Sequence, residues 1–264
     1  MSYLPGEIQL AEKRKIQMEM LDEIHDFCVK HHIRYSLAFG TLLGAIRHKG
    51  FIPWDDDMDI MMPYSDLQVF KQTFQSKNIR ISDLDSNKDY QFAFPRLVHT
   101  HTYSKQGKGF IGDGICIDVY PMVSLPENRT SIKWFMAWAI FLRKIRRYLM
   151  ALRTRVRRRF STIKDFPINR FFQKRYRAFL YGHPFKEEGY FLVAGGLGKR
   201  FIFYENLFSH MEEAPFEDHT YSIISSYDLF LTTRYGDYMK LPPVEEQKPT
   251  HQGHYYWKDE QAKK

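Results

Sequence analysis

The stretch from Phe39 to Ile60 constrains the fold more than any other, because it places a Gly40-Thr41 turn and a short helical run ahead of two carboxylates, Asp57 and Asp59. Successive strand residues point to opposite faces. On an expected strand from Pro53 to Met62, Asp57 and Asp59 therefore share one face, and Met58 and Ile60 point into apolar packing. Two carboxylates converging on one spot suit magnesium, which prefers hard oxygen ligands and takes only one or two protein carboxylates, with waters and phosphate oxygens completing its shell. Acidic triplets such as Asp55-Asp56-Asp57 also occur in solvated turns, and Pro53 is a natural turn starter. The apolar Ile60-Met61-Met62 that follows favours a strand entering a core, and clustered like charges at its mouth call for a cation.

The rest of the chain reads as alternating elements. Glu7 to His32 is expected to be a helix burying Leu10, Met20, Leu21, Ile24, Phe27 and Cys28, with His25, His31 and His32 on its polar side. Arg34 to Phe39 reads as a strand, Gly40-Thr41 opens a short helix, and a further helix is expected near Ser65 to Ser76. Phe92 to Thr102 and Gly114 to Tyr120 are the remaining strand candidates. On the second, Asp118 shares a face with Cys116 and Gly114, while Ile115, Ile117 and Val119 line the other. The alternation predicts an α/β (α+β) chain.

Composition changes at residue 129. From Arg129 to Lys164 there are twelve Lys or Arg and no acid, so a chain of net charge +8 carries −4 elsewhere. Trp134, Trp138, Leu142, Ile145, Leu149, Leu152 and Val156 recur there every three or four residues, predicting a basic amphipathic helix. Three roles stand open: packing on the core, lying on a membrane whose anionic headgroups attract Lys and Arg, or binding nucleic acid. No base-reading or RNA-binding motif accompanies the charge, so no nucleic-acid partner is expected. The organisation read from the sequence is a core at 1–128, a basic helical insert at 129–165 and a C-terminal part at 166–264 that completes the catalytic domain.

Cys28 and Cys116 lack metal-ligand spacing and fit a reducing compartment. Residues 1–7 show no basic start followed by an apolar stretch, and no run approaches the length of a spanning helix. The expected location is the cytoplasm, peripheral to the inner face of the cell membrane.

The run from Tyr35 to Ile60 resembles the signature of the LicD family, the phosphocholine transferases of bacterial surface polysaccharides, distantly related to fukutin-type enzymes. Gly114-Ile115-Cys116-Ile117-Asp118-Val119-Tyr120-Pro121 and Tyr235-Gly236-Asp237-Tyr238-Met239-Lys240-Leu241-Pro242-Pro243 are similar to two further family motifs. Ile224-Ser225-Ser226-Tyr227-Asp228 departs from the family's usual Val-Pro lead-in to the last. The resemblance implies a nucleotidyltransferase-like mixed sheet flanked by helices, with Asp118 as third acid beside Asp57 and Asp59. It also implies transfer of phosphocholine from a CDP-choline donor to a sugar hydroxyl of a lipid-linked glycan acceptor, a teichoic acid, lipopolysaccharide or capsule precursor, releasing CMP. Magnesium, with manganese as the alternative ion, would sit on Asp57, Asp59 and Asp118.

Such chemistry asks for positioning and charge neutralisation. Gly40 lets a phosphate approach the backbone, and the helix start at Thr41 offers N–H groups, although Thr41 also reads as an ordinary N-cap. Arg47 and Lys49 are candidate donor contacts, with a solvated helix end as the other reading. Arg96 stands where the family tends to carry a basic strand residue; an edge-strand surface ion pair is the alternative. Trp54 is counted with the substrate-binding residues. Asp56 and His251 are candidate general bases. Tyr255, Tyr256 and Trp257 form a candidate aromatic cage for the choline ammonium, or a tail pinned to the core. Three other functions remain: transfer of another polyol or sugar phosphate from a CDP donor, nucleotide transfer by the same fold, which would release pyrophosphate, and a membrane-surface adaptor without turnover.

Overall fold

The computed structural model describes residues 6–87, 90, 92–106, 110–159, 167–183, 185–249 and 253–258. The first half runs α1 (Leu10–Lys30), β1 (Ser36–Leu37), α2 (Phe39–Arg47), β2 (Asp59–Pro63), α3 (Tyr64–Thr73), β3 (Ile79–Ser82) and β4 (Arg96–His99). It continues through β5 (Thr102–Gln106), β6 (Phe110–Gly112), β7 (Cys116–Ser124), α4 (Arg129–Arg159) and α5 (Pro167–Tyr181). The remainder is β8 (Phe191–Val193), β9 (Ile202–Phe203), β10 (Met211–Phe216), β11 (His219–Ile224), α6 (Tyr227–Tyr235) and β12 (His254–Trp257).

The main sheet is mixed, as expected of the α/β reading, and runs β1-β2-β7-β4-β3, with β8 and β9 continuing from β7. Its parallel pair is β2 with β7, and the register sets Asp59 opposite Asp118. The Arg96 position on β4 faces Asp118 from the other side. All five residues of β2 are buried, because this strand lies between β1 and β7. That burial on both faces explains why Ile60-Met61-Met62 reads as a continuous apolar run.

α1 buries Ile16, Met20, Leu21, Ile24 and Cys28 in the main core, as its 3.6-residue period predicts. Leu10 and Phe27 are only half-buried. A second apolar cluster under α4 and α5 joins Ile132, Phe135 and Ala139 to Tyr176, Leu180 and Leu192. This changes the reading of α4. Trp134 and Trp138 are 66% and 52% exposed, so they stand on its solvent face, and the buried face lies about a third of a turn away at 132, 135 and 139. Among the described residues no helix is long and apolar enough to cross a membrane.

Several strands were not legible. The hairpin β10–β11 and the strand β12, which pairs with β5, lie in a region whose apolar residues are interspersed with charge and show no clean alternation. β2 begins at Asp59 rather than Pro53, so residues 53–58 form a loop.

Candidate active site

A cavity of about 260 Å³ opens at the N-terminal end of α2. Asp55, Asp57 and Asp59 line one side of it; Phe39, Gly40, Tyr120, Gly195, Phe201, Arg234 and Tyr235 form the rest. The acids come from the loop and the first residue of β2, which α2 and α1 hold in place. Thr41, three residues into α2, uses Oγ1 to accept the backbone N–H of Asp59 at 2.8 Å. Ala38 N–H donates to the Asp59 carbonyl at 2.9 Å. Thr41 is thus no N-cap: Ala38 occupies that position, and the hydroxyl pins β2.

The loop is clamped from α1. Arg14 donates to the carbonyls of Ile52 and Asp55 at 2.9 and 2.8 Å. Lys13 forms a buried ion pair with Asp56, Nζ to Oδ2 3.2 Å, and also donates to the Asp56 carbonyl. The three consecutive acids consequently divide. Asp56 faces α1 and is neutralised there, whereas Asp55 and Asp57 face the cavity. Asp56, expected as a candidate general base, is therefore turned away from the cavity, with Oδ2 paired to Lys13.

Burial, Asp57 and Asp118 raise the Asp59 pKa well above the ordinary carboxylate value. Burial and Asp57 push Asp55 up to about 7. Asp118 is half-buried and held by Arg96, Nε to Oδ1 2.7 Å. Burial alone would pull the Arg96 pKa down, but Cys116 and Asp118 raise it above its ordinary value. β4 lies inside the sheet, so this is not an edge-strand surface pair. The Arg96 guanidinium also lies 3.6 Å from the Phe92 ring centroid.

Other expected residues lie elsewhere. Arg47 closes the far end of α2, donating to the Tyr238 carbonyl at 2.7 Å, and ties the helix to the Tyr-Gly-Asp segment. A nine-residue helix puts that end roughly 12 Å from Gly40. Lys49 is exposed in a turn at φ 60° whose carbonyl accepts from Glu217 N–H. Trp54 packs edge-on against His48 and does not line the cavity. The Tyr255-Tyr256-Trp257 cage does not form: β12 alternates, so the three rings do not converge. Tyr255 lies under Lys13, Trp257 Nε1 donates to Glu12 at 2.9 Å, and Tyr256 stacks on Tyr103. His251 lies outside the described residues, and His254 pairs with Glu7 at 2.7 Å. Burial pushes both cysteine thiols up to about 12, so neither is a ready nucleophile.

Sequence reasoning missed Asp55 and Arg234. Asp55 lies in the loop before β2, so only its place in the acidic triplet Asp55-Asp56-Asp57 pointed to it. Arg234 is the penultimate residue of α6, directly before the Tyr235-Gly236-Asp237 motif. Its guanidinium lies 4.7 Å from the Phe201 ring centroid, and its Nε is buried with no hydrogen-bond acceptor among the described residues. Phe39, at φ 43°, is a strained non-glycine residue at the cavity rim.

The donor set fits a hard divalent cation. Asp59 Oδ1 is buried without a hydrogen-bond partner, and the neighbouring carboxylates raise one another's pKa. Among the described residues no three His, Cys, Asp or Glu side chains close into a metal cage. Such an arrangement suits magnesium, which leaves part of its shell to water and phosphate, better than a metal needing a complete protein shell.

The family described as LicD/FKTN/FKRP, nucleotidyltransferase domain, matches residues 32–156, a span that includes α2, the acidic loop, β7 and most of α4. The chain is 31% identical over 266 residues to the lipopolysaccharide cholinephosphotransferase LicD of Haemophilus influenzae, covering 92% of this chain and 96% of that protein. It is also 44% identical over 118 residues to an uncharacterised protein of Rickettsia prowazekii, 43% of each chain. An uncharacterised protein of Rickettsia typhi matches at 32% identity over 124 residues, 46% of this chain and 38% of that one.

Proposed function

The chain belongs to the LicD/FKTN/FKRP nucleotidyltransferase family, and from that premise we propose that it is a transferase moving phosphocholine from CDP-choline to a sugar hydroxyl of a lipid-linked lipopolysaccharide or teichoic acid precursor, with CMP leaving. The observation that carries this reading is the cavity itself, where Asp55, Asp57 and Asp59 face Arg234 across the start of α2. A diphosphate needs both sides: cationic groups for its oxygens and acids that recruit a counter-ion.

Asp57 and Asp59 would hold magnesium, or manganese in its place, while Asp118, paired with Arg96 on the adjacent strand and outside the cavity lining, acts as the third acid through its charge on Asp59. Bound there, the ion neutralises phosphate charge. Arg234 supplies a guanidinium fork for phosphate oxygens. Gly40 keeps the wall thin, since a Cβ there would stand 2.5 Å from Asp55 Oδ2. The faces of Phe39, Tyr120 and Tyr235 offer the choline ammonium a cation–π surface in place of the expected terminal cage. In the transfer, the acceptor oxygen bonds to the choline-bearing phosphorus as the bond to CMP breaks. Asp55, the cavity carboxylate nearest Gly40, is placed to accept the hydroxyl proton.

The acceptor reading brings in α4. Its outward stripe of Trp134, Trp138, Phe141 and Tyr148 is exposed beside Lys133, Lys144 and Arg147, a pattern suited to an anionic lipid surface. We place the protein at the inner face of the membrane on this basis.

The test is CMP release from CDP-choline by purified protein with magnesium and an amino-sugar glycolipid acceptor, comparing wild type with Asp59→Asn. Metal-dependent release abolished by the substitution is expected. Pyrophosphate as the product would mean nucleotide transfer; release only from another CDP-polyol would change the donor; no turnover with any donor would overturn the enzyme reading.

A further inference from the structure

The parallel register of β2 and β7 sets Asp59 opposite Asp118, so two carboxylates meet on paired strands. Arg96 answers the charge of one of them, with Nε and a terminal nitrogen 2.7 and 3.2 Å from Asp118. Asp59 is 7% exposed, and its Oδ1 has no hydrogen-bond partner among the described residues. The backbone of Asp59 is fixed on both sides, its N–H given to Thr41 Oγ1 and its carbonyl accepting from Ala38. Neither contact sets the direction of the carboxylate. A buried acid that is to meet an ion needs a further group to aim it.

Tyr120 stands two residues after Asp118 on β7 and therefore on the same face. Burial follows that alternation: Ile117 and Val119 are buried, Asp118 and Tyr120 half-buried. The Tyr120 ring lines the acid cavity and is wedged between Phe39 and Phe94, with centroids 4.7 and 4.3 Å away. Gly195 closes a third side, where a Cβ would stand 3.0 Å from Tyr120 Cδ1. A ring held this way gives its hydroxyl a fixed place. That hydroxyl lies 3.5 Å from Asp118 Oδ2. Burial and then the charges of Asp57, Asp118 and Asp55 raise the Asp59 pKa, whereas a hydrogen bond from the Tyr120 hydroxyl lowers it. Toward carboxylates a phenol is a donor with one proton to give. Phenylalanine would pack the same ring, so packing does not account for the hydroxyl.

We propose that Tyr120 is a positioning residue of the metal site: its hydroxyl turns the Asp59 carboxylate so that Oδ1 is left for the ion, and it joins Arg96 in holding Asp118 outside the ion's own shell. The inference rests on the reading that Asp57 and Asp59 hold a divalent cation, and adds the group that orients one of them. Partners behind metal ligands are typically responsible for about 10–100-fold in metal affinity, because they fix the ligand's orientation before the ion arrives.

The test reads metal binding rather than turnover. Mn2+ is titrated into full-length wild-type protein and Tyr120→Phe, with the free ion followed by electron paramagnetic resonance, and both proteins are melted in EDTA. Tyr120→Phe should weaken Mn2+ binding about tenfold or more. Its melting temperature in EDTA should stay close to that of wild type, because the ring and its contacts remain. Should Tyr120→Phe fail to fold, Phe94→Leu carries the test: it frees one side of the ring, keeps the hydroxyl and should weaken Mn2+ about threefold or more. Equal Mn2+ binding by wild type and Tyr120→Phe, or a lower melting temperature in EDTA with Mn2+ affinity unchanged, would make the hydroxyl structural and overturn the assignment. Absence of Mn2+ binding by wild type would overturn the metal reading itself and this assignment with it, so the two failures are distinguishable.

Discussion

Replacing Asp55 with Asn should stabilise the metal-free protein and cripple the enzyme. The folded-state pKa of Asp55 is pushed from an ordinary 3.8 up to about 7, by burial first and by Asp57 next. At about 1.4 kcal/mol per pH unit, ionising it in the folded protein costs about 4 kcal/mol more than in the unfolded chain. The sign follows from proton counting. Between about pH 4 and 7 the folded state keeps a proton that the unfolded state has lost, so wild-type stability falls as pH rises through that window. The penalty is fully present above pH 7 and nearly absent at pH 4. Asn carries no charge and still accepts the Asp56 N–H that Asp55 Oδ1 accepts at 3.1 Å. Allowing about half of the penalty for relaxation and water entry, Asp55→Asn should gain about 2 kcal/mol at pH 8, which is about 4–8 °C for a chain of this size. The assay is thermal unfolding of both proteins in EDTA at pH 4 and pH 8. Magnesium in excess should then raise the melting temperature of wild type more than that of the variant, because the ion relieves the repulsion the substitution has removed. A variant less stable than wild type at pH 8 in EDTA, or a gap that does not shrink at pH 4, would refute the reasoning.

Four further outcomes follow from the same geometry. Lys13→Met strands a buried Asp56 carboxylate and should cost about 3–5 kcal/mol in urea unfolding; a loss under about 1 kcal/mol would show that the pair is solvated. Gly40→Ala puts a methyl group 2.5 Å from Asp55 Oδ2 and should lower turnover about tenfold or more while the melting temperature holds or rises, since Ala favours helix by about 1 kcal/mol. Trp134→Gln with Trp138→Gln removes exposed rings; co-sedimentation with anionic phosphatidylglycerol vesicles should fall sharply without a change in melting temperature, and unchanged sedimentation would dismiss the lipid-facing role. Trp257→Ala should leave CDP-choline affinity unaltered, because Trp257 bonds Glu12 rather than lining the cavity; calorimetry showing weaker donor binding would restore the terminal cage.

The acid pair and its strand were legible because their physics is local. Parity along an extended segment puts Asp57 and Asp59 on one face, and the apolar run behind them commits β2 to the core. Asp55 reaches the same cavity from the loop before β2, where strand parity does not apply. α1 was legible because a period of 3.6 residues needs only its own sequence. α4 was legible as a helix but not in its orientation. Trp134 and Trp138 lie on the same apolar stripe that a buried helix would show, and only packing of Ile132, Phe135 and Ala139 on α5 and β8 reveals which stripe is inside.

By itself the sequence determined the spacing of the acids, the glycine that lets Asp55 approach α2, the basic character of residues 129–164 and the motifs that carry the family likeness. Tertiary structure decided what each charge does. Three consecutive aspartates are equivalent on paper, yet Lys13, 43 positions from Asp56, withdraws that one and leaves its neighbours to the cavity. Arg47 and Arg234 are equally basic on paper, yet one caps the far end of a helix and the other faces the acids. Electrostatic roles depend on distance and burial, and both are set by contacts between segments far apart in the chain.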